Sequence, residues 1–514
     1  MTSIRLNVIA SYASQLYMAA VGIVLVPVYL RYMGPEAYGL IGFYSMLQGW
    51  FMLLDVGLTP TMIRETARFR GGSLDALTLR RFVKTLEGIF YAVAIIAAAA
   101  VIAASHFIAS DWLKVQKLPL KEVQHVMVII AFIMAMRWIS SLHKGTINGF
   151  ERLIWLGVFN TVIATLRFVV VIPVFLFFGA TPIVYFSFQI LVAAIELTFL
   201  LTKSHRLLPK TPQSSAIRWD WTPLKGVLGF SLTIAFTSSA WVVVTQTDKL
   251  LLSKFLPLSA YGYFTLAVLL ASGVTLLSGP ISSAVLPRMV KLQAEGDEEG
   301  LVRIYRNATQ VVAVIAIPAS LVLAFFSHQI LLAWTNNPTA SQAAAPVMTL
   351  YALGNGMLAL CSFPYFLQFA KGDLKLHLIG SALFVLVLIP SLIWETRHYG
   401  MVGAGYAWLC TNALYLVFWV PAIHRRFVKG LHSAWLLNDV AGIVVLSFTA
   451  ILIFWRFIQW PGSRFRILLL IILLSGALVL VAAAASSWVR RALLRRNPFA
   501  ARLSPSPPDE SHPS

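Results

Sequence analysis

The chain has 514 residues, 59% of them hydrophobic and 12% charged, with a mean hydropathy of +0.79 and a formal net charge of +20. A soluble globular chain carries about 25% charged residues, so this composition excludes a soluble domain and describes an integral membrane protein. The excess charge lies between apolar runs rather than on one basic face, which is the pattern of loops beside a membrane and not of a nucleic-acid interface.

Each crossing of a bilayer takes about 20 apolar residues, and without water the backbone must satisfy itself, so the spans are predicted as helices. Fourteen fall near residues 7–30, 38–60, 85–107, 122–143, 154–178, 182–202, 226–248, 260–284, 305–327, 344–367, 375–394, 401–423, 437–458 and 465–488. The first is too long for a signal-peptide core and has no A-x-A cleavage site, so it reads as a retained helix. An even number places both termini on one side. On that assignment 28 Lys and Arg lie in the inner loops and ends and 10 in the outer loops, so the positive-inside rule puts both termini in the cytoplasm. Outer loops stay under 20 residues and leave no room for an extramembrane domain. The tail 491–514, rich in Pro and Ser, reads as disordered.

The organising stretch is Tyr38 to Arg70, where an apolar run holds Asp55, then Gly57 and Pro60, then the basic residues Arg64, Arg68 and Arg70. A charge at the bilayer centre costs roughly 2.5–3.5 kcal/mol and usually faces a bundle interior or a wet cavity. Asp55 therefore reads either as a coupling group or as the cap of a helix break before Gly57. Arg137 and Arg167 are arginines inside spans. Snorkelling to the interface is open to Arg137 and harder for the deeper Arg167. A guanidinium keeps its charge and grips phosphate in bidentate fashion, so the two suit an anionic head group better than a cationic drug.

Glu87 is expected to pair with Lys84 or Arg81 beside the inner loop. Glu196, mid-span, is either a counter-ion to Arg167 or a proton site. Asp248 and Lys249 end an outer helix or line a gate; adjacent helical positions diverge by about 100°, so they are not expected to pair with each other. The only cysteines, Cys361 and Cys410, lie in apolar runs with no CxxC. No P-loop, HExxH, GxSxG or Asp-rich nucleotide-sugar motif is present. No enzyme, cofactor, metal site or catalytic residue is expected.

An internal repeat is visible. LRYMGPEAYG in the first outer loop aligns with SKFLPLSAYG in the fourth, Tyr38 on Tyr261 at an offset of 223, and Glu151 aligns with Asp373 at 222. The expected architecture is an all-α membrane protein of about fourteen helices. Two six-helix pseudo-repeat lobes, 1–210 and 211–430, would surround a central cavity, with a helix pair at 431–490.

The stretches YLRYMGPEAYGLIGFYSMLQGWFMLLDVGLTPTMIRETAR (29–68) and TDKLLLSKFLPLSAYGYFTLA (247–267) resemble bacterial polysaccharide transporters, the O-antigen and exopolysaccharide flippases. Asp55, Gly57 and Arg64 and the pair Asp248-Lys249 carry the resemblance, which covers the first twelve spans. It implies the multidrug/oligosaccharidyl-lipid/polysaccharide exporter fold and the movement of polyprenyl-pyrophosphate-linked glycans across the inner membrane. Two further spans resemble the fourteen-helix lipid II flippases. On this reading Arg137 and Arg167 hold the pyrophosphate, Asp55, Glu196, Asp248 and Lys249 couple or gate, and Arg64 and Arg68 form a basic approach on the cytoplasmic side. The bilayer, the lipid-linked glycan and, through the resemblance, a polysaccharide polymerase and a chain-length regulator would be its partners, with no nucleic acid. A multidrug or lipid II exporter is the alternative.

Overall fold

The computed structural model describes residues 2–210 and 228–490. The predicted tail at 491–514 and the inner-loop basic residues Arg218 and Lys225 lie outside the described residues. Those described are helical throughout, apart from turns and one isolated bridge between Lys114 and Pro257.

Packing divides the chain into two compact units, Met1–Leu266 with Val385–Ala404, and Ala267–Phe384 with Gly405–Ser514. The first carries α1 (Thr2–Val24), α2 (Val26–Phe51), α3 (Leu58–Arg70), α4 (Ala76–Phe107), α5 (Leu120–Gly149), α6 (Leu153–Ala164), α7 (Val171–Phe178), α8 (Pro182–Leu207), α9 (Leu228–Phe255) and most of α10 (Leu258–Ala271). The second carries α11 (Gly273–Ala294), α12 (Glu298–Phe325), α13 (Ser327–Thr335), α14 (Pro338–Ala370), both ends of α15 (Lys375–Leu414), α16 (Val420–Phe427), α17 (Leu431–Ala434), α18 (Gly442–Phe457) and α19 (Arg464–Ala485).

Eleven described segments are long and apolar enough to cross a membrane. One of them, Lys375–Phe427, is 53 residues long and is broken at Gly400 (φ 58°, ψ −139°), where only glycine adopts the backbone readily, so it makes two crossings. Helices α1 and α9, of 23 and 28 residues, supply the remaining predicted spans. Gly34 (φ 82°, ψ 171°) breaks α2 in the same way and separates the first crossing from the second. The second crossing stops at Asp55 rather than residue 60, because Val56 (φ 45°) and Gly57 (φ 72°) are both left-handed. Large apolar side chains such as Ile95, Ile96, Phe177 and Phe178 are exposed, as lipid contact requires.

Two pairs of turns share one backbone pattern. Gly72 and Gly296 each end a helix at positive φ and donate to the carbonyl three residues back, Phe69 and Gln293; the next amide reaches five back, to Arg68 and Leu292. Asp75 and Asp297 then cap the following helices. Glu151 (φ 57°) and Gly372 (φ 73°) close another matched pair of turns with the same two bonds. The left-handed position thus aligns Glu151 with Gly372, at an offset of 221, rather than with Asp373.

Within the first unit, α2 and α10 meet at these repeats. A Cβ on Gly39 would lie 2.3 Å from the Leu258 carbonyl oxygen, and one on Gly262 would lie 2.4 Å from that of Pro35. Gly39 matches Gly262 and Pro35 matches Leu258 at the offset of 223, so the two contacts are reciprocal. Gly42 faces Thr265, its own counterpart, with a Cβ-to-Cγ2 approach of 2.7 Å. Lipid supplies no hydrophobic drive for helix association, so close backbone approach at small residues replaces it. Glu36, one residue along, is buried and accepts from the amides of Gln116, Lys117 and Leu118, fixing the loop after α4.

Candidate functional site: a cationic cluster inside the first unit

The backbone opens where Arg167 sits. Between α6 and α7 the chain makes a wide π-helical turn, Thr165–Val169, closed by the Val170 amide on the Thr165 carbonyl at 3.1 Å. Such turns leave carbonyls without their usual partners and recur at functional positions. Two side chains from other helices reach its carbonyls, and a third meets a side chain of the turn. Gln189 Nε2 on α8 donates to the Arg167 carbonyl at 2.9 Å, Tyr29 to that of Phe168 at 2.7 Å, and the Tyr17 hydroxyl meets Thr165 Oγ1 at 2.7 Å. The turn is held open, and the Arg167 side chain with it.

Helices α5 and α8 run side by side in register. Arg137 bonds to Gln189 (3.4 Å) and Lys144 to Glu196 (2.5 Å), both at an offset of 52 residues, so the helices are parallel and the rungs are two turns apart. Arg137 also donates to the Tyr44 hydroxyl on α2 and lies 5.5 Å over that ring. Arg167 is near Arg137, Glu196, Tyr44 and Tyr185, with its guanidinium 5.2 Å from the Phe168 ring centre. It donates to no acceptor among the described residues, and its Nε is buried. Arg137 Nε is likewise buried without a partner.

The charges do not cancel. Arg137, Arg167 and Lys144 face one carboxylate, Glu196, and Lys144 holds that carboxylate directly. Among the described residues, three cations inside membrane-spanning helices thus share one carboxylate. A charge there is costly unless paired. Planar donors in fork geometry select phosphate or carboxylate oxygens.

Glu196 pairs with Lys144, a residue the sequence places only in an inner loop, and keeps a second buried oxygen, Oε2, without a partner. Asp55 stands apart from the cluster: its Oδ1 accepts from the Thr59 amide (3.1 Å) and hydroxyl (2.7 Å), the geometry of the capping alternative. Asp248 is buried, and Lys249 Nζ lies 3.4 Å from its Oδ1, so the two do form an ion pair. The lysine chain curls back to the Thr245 carbonyl, which overcomes the divergence of adjacent positions. Arg64 is exposed, Arg68 bonds Glu65 one turn back at 2.9 Å, and Arg70 reaches Glu151 at 2.8 Å. Glu87 pairs with His205 at 2.7 Å rather than with Lys84 or Arg81, because α8 ends against its face of α4.

Sequence reasoning does not single out Gln189, Tyr44, Tyr29 or Tyr185. One signal is available: Tyr185, Gln189, Val192, Glu196 and Leu200 recur at helical spacing and form the buried face of α8. In the second unit a buried acid, Asp439, also lies in a π-helical turn, Trp435–Ala441. Arg306 grips it with both nitrogens (2.6 and 3.2 Å), and Gln310 links it to Ser486. This network fastens the last two spans to α12.

The fold is similar to those of several solved membrane transporters. Lipid II flippase MurJ in an inward closed conformation superposes with a TM-score of 0.71 at 16% identity, covering 95% of this chain and 100% of that one. An inward-facing multidrug resistance MATE family transporter gives 0.65 at 13% identity over 82% of this chain and 96% of that one. The MATE multidrug transporter DinF-BH gives 0.59 at 16% identity over 82% of this chain and 95% of that one. Comparison with curated proteins gives no match. Residues 4–293, more than half of the chain, match the family described as polysaccharide biosynthesis protein, and the chain belongs to that family.

Proposed function

We propose that this protein is an inner-membrane flippase that carries a polyprenyl-pyrophosphate-linked oligosaccharide, an O-antigen or exopolysaccharide repeat unit, from the cytoplasmic to the periplasmic leaflet by alternating access. One observation carries the reading: the uncompensated pair Arg137 and Arg167, oriented by Tyr44 and by the π-helical turn on Gln189. A pyrophosphate diester brings about two negative charges and oxygens for bidentate contact. A cationic drug would meet repulsion there, which weighs against the multidrug reading although several relatives in fold are multidrug transporters. Membership in a polysaccharide biosynthesis family supports a glycan cargo.

The sugars and the charge cannot cross hydrocarbon unaided, since an isolated ion costs tens of kcal/mol by Born estimate. With the cluster neutralised by the head group, the polyprenyl tail can remain in lipid. A membrane potential negative inside favours outward movement of an anion by about 2.3 kcal/mol per charge per 100 mV. The charge left behind is again unpaired, which favours the next head group. Asp55, Asp248 and Lys249 remain proposed gating groups on this reading, and Arg64 and Arg68 the basic approach. The test is deletion of the gene: lipid-linked oligosaccharide should accumulate on the cytoplasmic leaflet, and the wild-type chain but not Arg167→Ala should clear it. Clearance by Arg167→Ala at the wild-type level would remove the anion site.

A further inference from the structure

At one end of the first unit, the N-terminal third of α4 and the C-terminal ends of α5 and α8 bring together Glu87, His143 and His205. Their ligand atoms all lie within 4.8 Å of one another. Glu87 Oε1 and His205 Nε2 are already 2.7 Å apart. His143 is fully buried, yet its Nε2 has no partner among the described residues.

The tautomer of His143 can be assigned from its other nitrogen. His143 Nδ1 lies 2.8 Å from Ser204 Oγ, and that hydroxyl is placed to give its own hydrogen to the Leu201 carbonyl at 3.1 Å. With that hydrogen given to Leu201, Ser204 Oγ is free to accept from Nδ1–H, the tautomer that gives the buried Nε2 a lone pair for a metal. A neutral imidazole nitrogen with its partner nitrogen bonded to an outer group is the arrangement of a metal ligand. No protein hydrogen reaches that lone pair, and an unsatisfied buried acceptor is costly to keep.

We propose that Glu87, His143 and His205 form a site for a divalent transition metal, zinc by the chemistry of its donors, with Ser204 as the positioning residue. Two imidazoles and one carboxylate are a common zinc donor set, with bonds of about 2.0–2.2 Å and tetrahedral ligand atoms roughly 3.4 Å apart. Three protein ligands leave a fourth position, which a water or another oxygen donor can fill. The metal would pin three helix ends together, independently of the cargo.

Tag-free protein in detergent, stripped with chelator and titrated with zinc chloride alone, tests this. The wild type should bind about one zinc per chain with two imidazole nitrogens in its X-ray absorption spectrum. His205→Ala, on an exposed residue, and Glu87→Gln should each bind at least about ten-fold more weakly, and Ser204→Ala should lose about 10–100-fold. His106→Ala, an exposed histidine elsewhere, should bind as the wild type does. Sub-stoichiometric zinc in the wild type, or unchanged affinity in both ligand variants, would overturn the site.

Discussion

Lys144 on α5 holds Glu196 on α8 at 2.5 Å, and the same offset of 52 residues joins Arg137 to Gln189 two turns along the same pair of helices. The lower rung neutralises itself and the upper rung does not.

The lower rung is expected to be a stability element. Lys144→Met leaves Glu196 buried and unpaired and should lower stability by about 2 kcal/mol, the range for hydrogen bonds to charged groups. Lys144→Met with Glu196→Gln should recover much of that loss. Thermal unfolding of the two singles and the double in detergent gives the coupling; strictly additive losses would contradict the pair.

Gln189→Leu removes the acceptor of Arg137 and the donor to the Arg167 carbonyl in one change. Stability should fall by about 1–3 kcal/mol, the cost of leaving a buried polar group unsatisfied. Transport should fall further than in Lys144→Met variants of equal stability, because the π-helical turn carrying Arg167 loses its support. Equal transport at equal stability would show that the turn does not orient the arginine.

How much of this is legible in the sequence follows from what each residue type announces. Arg137 and Arg167 stand out because arginine inside an apolar run is rare and costly. Gln189 and Tyr44 do not, since uncharged polar residues are common in spans and only contacts reveal their role. The π-helical turn has no local signal: TLRFV reads as helix, and the widened turn comes from side chains on α1, α2 and α8. Asp55 reads as a cap or as an intramembrane charge, and only the left-handed pair Val56 and Gly57 shows its capping geometry. The repeat is visible at Tyr38 and Tyr261, but backbone conformation is needed to align Glu151 with Gly372. Asp439 carries no local signal because its partner Arg306 is 133 residues away.

The reciprocal glycines predict a symmetric sensitivity. Gly39→Ala and Gly262→Ala each push a Cβ within 2.5 Å of a backbone oxygen. Each should destabilise by about 1–3 kcal/mol, the usual cost of overpacking. Gly22→Ala, whose Cβ would meet only the Phe168 ring at 3.8 Å, should be neutral or stabilising by up to about 1 kcal/mol. Melting temperatures in one detergent compare the three, and tolerance of alanine at both Gly39 and Gly262 would contradict the close crossing.

In the second unit, Asp439→Ala leaves Arg306 facing Gln310 without its carboxylate. Breaking a buried pair from one side costs about 3–5 kcal/mol, less here because Arg306 is one-third exposed. The effect should concentrate in the last two spans and be read as faster proteolysis between α18 and α19 with α12 still protected. Uniform loss of protection across the unit would contradict that fastening role.

The central claim is that an unpaired pair of arginines receives an anionic lipid head group, and flipping of a fluorescent polyprenyl-pyrophosphate-linked sugar in proteoliposomes tests it most directly. Wild-type protein should flip it at a rate that rises with an outward-favouring potential. Arg137→Gln and Arg167→Gln should each slow flipping by at least about ten-fold with the protein still inserted and folded, as expected where each guanidinium contributes a charge-assisted contact. Flipping at the wild-type rate in the double variant, Arg137→Gln with Arg167→Gln, would contradict the account.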